Sequence, residues 1–293
     1  MAGTIPFGCG QCLPCRINRR RQWMWRQFLE SLCHEENAFV TLTYNDENLP
    51  AGGNLRPSDL SEWIKRLRFR LHPQRIRFFA VGEYGEESLR PHYHVSLFGV
   101  SGRTDILSAN NTRHFGCSQV VADTWPFGMI KVAEFNELTA QYVAGYVVKK
   151  MTAADDPRLK GLVPEFSRQS NRPGIGANAM PIIAAQLLKS GNNWLLSGEG
   201  DVPRELKLGT RRIPLGRYLL RKLREEVGFD EEKIKKIKDT ISYEKSKEMQ
   251  SLYGAALDVS PFATAKSVYL DSTEQLRRNA VGRSKLWSKK GSI

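Results

Sequence analysis

The chain has 293 residues, 41% of them hydrophobic and 26% charged, a composition that excludes a disordered or fibrous protein and favours a globular one. Its 44 Lys and Arg against 31 Asp and Glu give a formal net charge of +13, which favours a polyanion partner, nucleic acid before an anionic membrane. No apolar run is long enough to span a bilayer, and the first residues lack a signal-peptide pattern, so we expect a cytoplasmic protein.

The hydrophobic pattern predicts helices and strands in the order α, β, α, β, β, β, α up to about residue 152. Apolar residues recur at helical spacing from Ile17 to Glu36, after Pro57, and over 138–151. β-Branched and aromatic residues predict strands at 39–44, 75–83, 92–100 and 127–135. Residues 101–125 are polar and predicted to be irregular. This order predicts an α+β fold in which helices flank an antiparallel β-sheet.

The same pattern predicts three segments. Residues 1–36 form an N-terminal, Cys-containing basic helical segment, and 37–152 form the core of the fold. Residues 153–293 form an accessory C-terminal region, mostly helical or irregular, with a charged helical stretch from Glu225 to Tyr253. We interpret this last segment as an accessory region because it carries no second set of chemically suggestive residues.

The cysteines indicate a reducing compartment, because five of them cannot all form disulfides within the chain. Cys9, Cys12 and Cys15 have a spacing that can place three thiolates around one zinc ion. A closed zinc site needs a fourth ligand, for which the candidates are Cys33, His34 and Cys117. The cluster is therefore either a structural Zn²⁺ site or a group of partly buried free thiols.

Two histidines on one predicted strand form a candidate metal site. Residues two apart in a strand face the same side, so His92 and His94 project together, away from the core. If strands 75–83 and 92–100 pair as a hairpin, Glu83 comes within reach of both imidazoles, with Glu86 and Glu87 as substitutes. Such N and O ligands suit Mn²⁺, Mg²⁺ or Zn²⁺ and leave positions open for substrate, as a catalytic site requires. The alternative is a solvent-facing pair beside a hairpin charge.

Two tyrosines lie on one face of the helix predicted at 138–151. Tyr142 and Tyr146 are four residues apart and therefore stacked, with Lys149 and Lys150 on the same side. Tyrosine has a pKa near 10 and is a poor nucleophile unless a cation or a metal-held phosphate assists it. The candidate metal site and the basic chain favour a catalytic role over two half-buried aromatic side chains.

Two further groups of basic residues are candidate phosphate contacts for single-stranded DNA. One group lies at the head of the first helix and the other on the solvent face of the second. Their members are Arg16, Arg19, Arg20 and Arg21 in the first helix, and Lys65, Arg66, Arg68 and Arg70 in the second.

The order of these motifs resembles the HUH endonucleases, and within them the replication initiation proteins of microviruses, above all of gokushovirus-like single-stranded-DNA phages. The motifs are FVTLTY at 39–44, GEYG at 82–85 with RPHYH at 90–94, and YVAGYVVKK at 142–150. The CGQCLPCR segment at 9–16, the TLTYNDENLP run at 41–50 and the RPGIG loop at 172–176 are also similar. The resemblance covers about the first 220 residues.

The resemblance implies an HUH nuclease core of the ferredoxin- or RRM-like type at 37–152, with a divalent cation, Mg²⁺ or Mn²⁺, held by Glu83, His92 and His94. One tyrosine would attack the scissile phosphate, leaving a 5′-phosphotyrosine link and a free 3′-OH primer for rolling-circle synthesis. The other would cut the regenerated origin and close the circle. Gly145 departs from the family pattern, which often has a larger basic residue between the tyrosines.

The implied partner is a single-stranded replication origin in the cytoplasm of a bacterial host. The sequence contains no P-loop motif, so unwinding would come from a host helicase and synthesis from a host DNA polymerase. Two alternatives remain open. One is another HUH enzyme, such as a plasmid initiator, relaxase or transposase, and the other is a non-catalytic single-stranded-DNA-binding module.

Overall fold

The computed structural model describes residues 13–85, 87–101, 103–107, 113–115, 118–149, 159, 161–189, 201–259, 274, 278 and 282. A five-stranded antiparallel sheet with flanking helices confirms the predicted α+β class. The helices are α1 Leu13–Ser31, α2 Pro57–Leu71, α3 Gln119–Thr124, α4 Glu137–Lys149, α5 Met180–Lys189, α6 Gly216–Glu226 and α7 Glu231–Val259. The strands are β1 Asn37–Thr43, β2 Arg77–Tyr84, β3 Pro91–Phe98, β4 Arg103–Leu107, β5 Arg113–Phe115, β6 Ile130–Glu134, β7 Phe166–Gln169, β8 Glu205–Leu208 and β9 Arg211–Pro214.

Among the described helices, none has both the length and the apolar character needed to cross a membrane. The chain divides into two compact units. One unit contains Arg20–Ile183 and Glu205–Leu219, and with them the whole main sheet. In the other, the guanidinium of Arg224 forms a buried ion pair with Asp201, Nε to Oδ1 being 2.8 Å.

The main sheet has the strand order β6-β1-β3-β2-β7, and every neighbouring pair is antiparallel. Strands β2 and β3 form the expected hairpin, with Glu83 directly opposite His92. On the other side of β3, Thr41 of β1 is opposite His94. The two central strands therefore bring three chemically active side chains to one face of the sheet.

The opposite face of the sheet carries the hydrophobic core. Strand β1 alternates between half-buried and fully buried residues, as its sequence predicts, while β2 and β3 are buried on both faces because helices cover both. The predicted inward residues of β3 are fully buried and pack with the apolar stripe of α2. The core residues of these elements include Tyr93, Val95, Leu97, Leu60, Trp63, Ile64 and Leu67.

Helices α1 and α4 cover the face that carries the histidines. The indole of Trp23 on α1 packs against Phe79 of β2, their ring centroids being 4.8 Å apart. In the same helix, Gln27 accepts a buried hydrogen bond from Ser96 of β3 at 2.7 Å. Helix α4 packs against β2 and β3. The two helices thus frame the candidate site from the same side.

The buried face of α1 is more polar than its sequence suggests. The helix ends at Ser31, and Leu32, expected in the apolar stripe, is 58% exposed. Glu30 is instead fully buried. Its carboxylate accepts hydrogen bonds from Arg77 Nε at 2.5 Å and from the backbone N–H of Gly176 at 2.6 Å. Glu30 therefore joins α1, β2 and the RPGIG loop.

The pKa of Glu30 predicts how this junction responds to acid. Burial raises it, but hydrogen bonds from His34 and Gly176 and the charge of Arg77 outweigh burial, so the pKa lies below the ordinary value. A depressed carboxyl pKa stabilises the fold above the unfolded-state value and ceases to do so as the pH falls below it. Glu30→Gln should therefore lower the free energy of unfolding at pH 7 by about 3 kcal/mol.

Urea denaturation of both proteins between pH 7 and pH 3 measures the effect. The stability gap should narrow as the pH falls below the ordinary glutamate pKa of 4.5. Glu35→Gln, at an exposed glutamate just beyond α1, is the matched control. A gap independent of pH, or one of equal size at Glu35, would contradict the argument.

Several elements differ from the sequence prediction. The segment expected to be irregular contains β4 paired with β5 and the short helix α3. Beyond residue 152, β7 adds an edge strand to the main sheet beside β2, and β8 and β9 form a separate hairpin. The four residues of β7, FSRQ, show no two-residue alternation, so its pairing partner decides the strand rather than its own sequence.

Candidate active site

The predicted metal ligands converge on one point at the β2–β3 hairpin. Oε1 of Glu83 lies 2.7 Å from Nε2 of His92 and 3.0 Å from Nε2 of His94. One ligand atom from each residue lies within 4.8 Å of the others. In the part of the chain that the structure describes, no other group of three His, Cys, Asp or Glu residues has such geometry.

Hydrogen bonds behind the imidazoles fix their orientation. Nδ1 of His92 lies 3.0 Å from the Arg90 carbonyl, which can only accept, so Nδ1 carries the hydrogen. Nδ1 of His94 lies 3.0 Å from the hydroxyl of Thr41. A neutral histidine that donates from Nδ1 keeps the lone pair of Nε2 for a cation. The two Nε2 atoms and the Glu83 carboxylate thus fit a divalent metal ion.

The charges of this cluster are strongly coupled. Burial raises the pKa of Glu83, but hydrogen bonds from both histidines outweigh it and hold that pKa below the ordinary value. Burial also opposes the charged form of His92, yet the hydrogen bond and charge of Glu83 raise its pKa. For the more deeply buried His94, burial dominates and lowers the pKa. The triad thus holds its carboxylate ionised, which is the form that binds a cation.

Helix α4 places both tyrosines against this triad. Asn136 and Thr139 cap its start: Asn136 Oδ1 accepts from the Thr139 N–H at 3.0 Å, and Thr139 Oγ1 accepts from the Asn136 N–H at 2.9 Å. Ala140, Val143 and Ala144 are fully buried, as the helical pattern predicts. The opposite ridge of the helix therefore points Tyr142 and Tyr146 along the site.

The two phenols occupy different environments. Tyr142 is 45% exposed, and its hydroxyl lies 3.4 Å from Nε2 of His94. The ring of Tyr146 stacks on His94 with centroids 5.5 Å apart, and the two tyrosine rings meet edge to face at 4.9 Å. Burial, the charge of Glu83 and a hydrogen bond with Tyr142 raise the pKa of Tyr146. Both hydroxyls thus lie beside the triad, but only Tyr142 is open to solvent.

The structure separates the two basic groups predicted to bind DNA. Helix α2, with Lys65, Arg66, Arg68 and Arg70, packs on the core face of the sheet, opposite the triad. Arg66 donates to the Thr124 carbonyl at 3.0 Å, whereas Lys65, Arg68 and Arg70 are exposed.

On α1, Arg16 is half-buried and Arg19 is exposed. Arg20 and Arg21 lie on the triad's side of the sheet. Arg20 donates to the Gln141 carbonyl of α4 at 3.3 Å, and Arg21 donates to the Arg212 carbonyl of β9 at 3.2 Å. These contacts bring part of the first basic group, but not the second, next to the tyrosine helix.

Other expected residues fall outside what the structure describes. These are Cys9, Cys12, Cys117, Glu86, Lys150 and the side chain of Lys149. Cys15 and Cys33 are free thiols, both half-buried. The zinc site and the lysine roles therefore stay predictions.

Sequence reasoning missed residues that long-range pairing brings to the site. Thr41 reaches His94 only because β1 pairs with β3. Phe39, on the same face of β1, stacks on His94 with centroids 5.6 Å apart and meets Tyr142 edge to face. The β8–β9 hairpin supplies Arg211, which forms an ion pair with Glu137 in the first turn of α4. The two-residue periodicity of β1 was the available signal for Thr41 and Phe39, while Arg211 had none.

Comparison with known proteins places the site in a recognisable segment. Residues 37–151 match the family model of the replication-associated proteins of the ORF2 type, and this segment contains the triad and both tyrosines. No solved structure matches the chain.

Three curated relatives are replication-associated proteins of phages. The chain is 33% identical over 164 residues to VP4 of Bdellovibrio phage phiMH2K, covering 52% of this chain and 51% of that protein. It is 33% identical over 180 residues to ORF2 of Spiroplasma virus 4, covering 57% and 55%. It is 29% identical over 163 residues to ORF4 of Chlamydia phage 1, covering 52% and 40%. The chain thus spans about half the length of these relatives, and the matches confirm the resemblance to phage replication proteins.

Proposed function

We propose that this chain, whose central segment matches phage replication-associated proteins, is a rolling-circle replication initiator: a metal-dependent, strand-specific DNA nickase and strand transferase that acts inside a bacterial host. The observation that carries the proposal is the placement of two tyrosine hydroxyls beside a buried Glu–His–His triad. A phosphodiester transfer needs a Lewis acid, a positioned nucleophile and compensation of negative charge. One site offers candidates for all three.

Glu83, His92 and His94 would hold the divalent cation, Mg²⁺ or Mn²⁺. When bound, such a cation supplies a Lewis acid that polarises the non-bridging oxygens of the scissile phosphate. The chain's contribution is orientation: Arg90 and Thr41 fix the imidazoles from behind, and the sheet fixes the spacing of the three ligands. Apolar surroundings limit the water that competes for the site.

The chemical step transfers the DNA strand to tyrosine. The phenolic oxygen attacks phosphorus, an O–P bond forms, and the bond from phosphorus to the 3′ oxygen breaks. Water accepts the phenol proton, and the departing 3′ oxygen takes up a proton to become the free 3′-OH. The product is a 5′-phosphotyrosine link. Because α4 presents two tyrosines, the second can attack after one round of synthesis while the first still holds the DNA end.

The DNA strand would be held by basic residues on the site's side of the sheet. Arg21 of α1 and Arg211 and Arg212 of the β8–β9 hairpin lie next to α4 in the same unit. Phosphate contacts of this kind release counterions and make binding sensitive to salt. Synthesis from the 3′-OH would depend on a host helicase and polymerase.

Incubation of the chain with Mn²⁺ and end-labelled single-stranded origin DNA tests the proposal. A transferase moves label into a covalent band on a denaturing gel, and the band survives high salt and disappears with EDTA. A non-catalytic DNA-binding module would shift the DNA on a native gel and give no covalent band, which would overturn the assignment.

Thr41→Val tests the orientation of His94. Val has the shape of Thr without the hydroxyl, so His94 loses the partner of its Nδ1 while the strand keeps its packing. Loss of such an outer contact typically weakens metal affinity, and we expect a decrease of about 10-fold. Titration calorimetry with Mn²⁺ measures it.

Thr43→Val provides the matched control. Thr43 lies on the same face of the chain near His92, but its hydroxyl donates to the Met129 carbonyl at 3.2 Å rather than to a histidine. We expect this variant to keep its Mn²⁺ affinity. Equal losses in the two variants would show that the hydroxyl of Thr41 has no special effect on the metal site.

A further inference from the structure

The search for further functional residues led to an arginine beside the tyrosine helix. Arg20 belongs to α1, outside the segment 37–151 that matches the family model. It is half-buried, and its Nη2 donates to the carbonyl of Gln141, the residue before Tyr142. A long cationic side chain at a protein surface normally keeps its charged end in water. The partial burial of this guanidinium against α4 therefore requires an explanation.

Gly145 makes room for this guanidinium. A Cβ atom built at Gly145 would lie 3.4 Å from both Cζ and Nη2 of Arg20, so the guanidinium lies directly over the helix at this position. Glycine inside a helix lowers stability by about 1 kcal/mol relative to alanine. Residues 141 and 145 form one ridge of α4, and Tyr142 and Tyr146 form the next. Arg20 thus lies along the ridge that borders the tyrosines.

The charge of Arg20 is directed at one tyrosine in particular. Burial lowers the pKa of Arg20, and attraction to the Tyr146 side chain opposes that shift. A cation held at this place offsets negative charge on the Tyr146 oxygen as it attacks, or as it leaves a phosphotyrosine. Exposed arginines that contact the DNA backbone would act on both tyrosines alike.

We propose that Arg20 is a positioning residue for Tyr146 in the strand-transfer reaction, acting through its guanidinium where Gly145 admits it. This role rests on the proposed function and goes beyond it, because it makes the two tyrosines unequal. It also assigns one arginine of the first basic group to the chemistry rather than to DNA binding alone.

The test measures Arg20 variants in two backgrounds, each with a single tyrosine. Tyr142→Phe leaves only Tyr146, and Tyr146→Phe leaves only Tyr142. At saturating DNA, Arg20→Gln should slow adduct formation about 10-fold or more when Tyr146 is the nucleophile, and much less when Tyr142 is. Arg20→Lys, which keeps the charge, should restore most of the rate. Arg21→Gln removes a charge one residue away and should affect both backgrounds equally.

Variants of Gly145 provide a second, independent test. Gly145→Met should displace the guanidinium and reproduce the loss that is specific to Tyr146. Gly145→Ala is its matched control, because a Cβ at 3.4 Å makes ordinary van der Waals contact. Equal losses in both tyrosine backgrounds, or a failure of Arg20→Lys to restore the rate, would overturn the role of Arg20 alone. Absence of any adduct with the unmodified chain would overturn the proposed function and this role with it.

Discussion

The variant that carries both Tyr142→Phe and Tyr146→Phe is expected to form no covalent adduct with single-stranded DNA. Removal of both phenolic oxygens leaves the site without a nucleophile, while the rings and their stacking on His94 remain. Adduct formation should fall by at least about 10³-fold, a loss on the scale of removing a reacting group. Labelled DNA, Mn²⁺ and a denaturing gel measure it.

The single variants should behave differently from the double one. Each keeps one hydroxyl beside the triad, so each should retain partial adduct formation, while a full cycle of nicking and strand closure should need both. Tyr243→Phe is the matched control, because Tyr243 is an exposed tyrosine on α7, 69% accessible. An adduct that persists in the double variant would show that another residue is the nucleophile.

His92→Ala should abolish cleavage while DNA binding persists. The variant loses one of three ligands from a site in which Glu83 already interacts with both imidazoles. Binding depends instead on basic residues at the surface, which the change does not touch. The combined result, a lost covalent band with an unchanged native-gel shift, separates metal chemistry from folding and affinity.

Glu83→Gln examines the same site without removing a side chain. The amide keeps the shape of the carboxylate but lacks the charge that attracts a cation, so the Mn²⁺ concentration needed for half-maximal cleavage should rise. His72→Ala, at an exposed histidine beyond the end of α2, is the control for histidine loss. Undiminished Mn²⁺-dependent nicking by His92→Ala would place the metal elsewhere.

The sequence predicted those parts of the site that depend on local periodicity. His92 and His94 share a face because strand residues alternate, and Tyr142 and Tyr146 share a face because helical residues recur every 3.6 positions. Glu83 required one further assumption, that consecutive strands pair as a hairpin, and the structure confirms it.

The remaining features depend on which distant elements meet. Thr41 reaches His94 across 53 residues of chain, and Arg20 reaches Gln141 across 121. Nothing in either local sequence specifies these partners, because strand order and helix docking follow from the packing of the whole unit. The same reason hid Glu30, whose burial depends on a carboxylate finding Arg77 and the Gly176 N–H in the folded chain.

The register of β3 also ties the candidate chemistry to correct folding. In β3, His92 and His94 face the site while Tyr93 between them lies in the core, its hydroxyl 2.7 Å from that of Tyr44. A slip of one residue would turn the imidazoles into apolar surroundings and expose the tyrosine, so the core and the metal ligands would be lost together. A chain that misfolds in this region would therefore be inert rather than a nuclease of relaxed specificity.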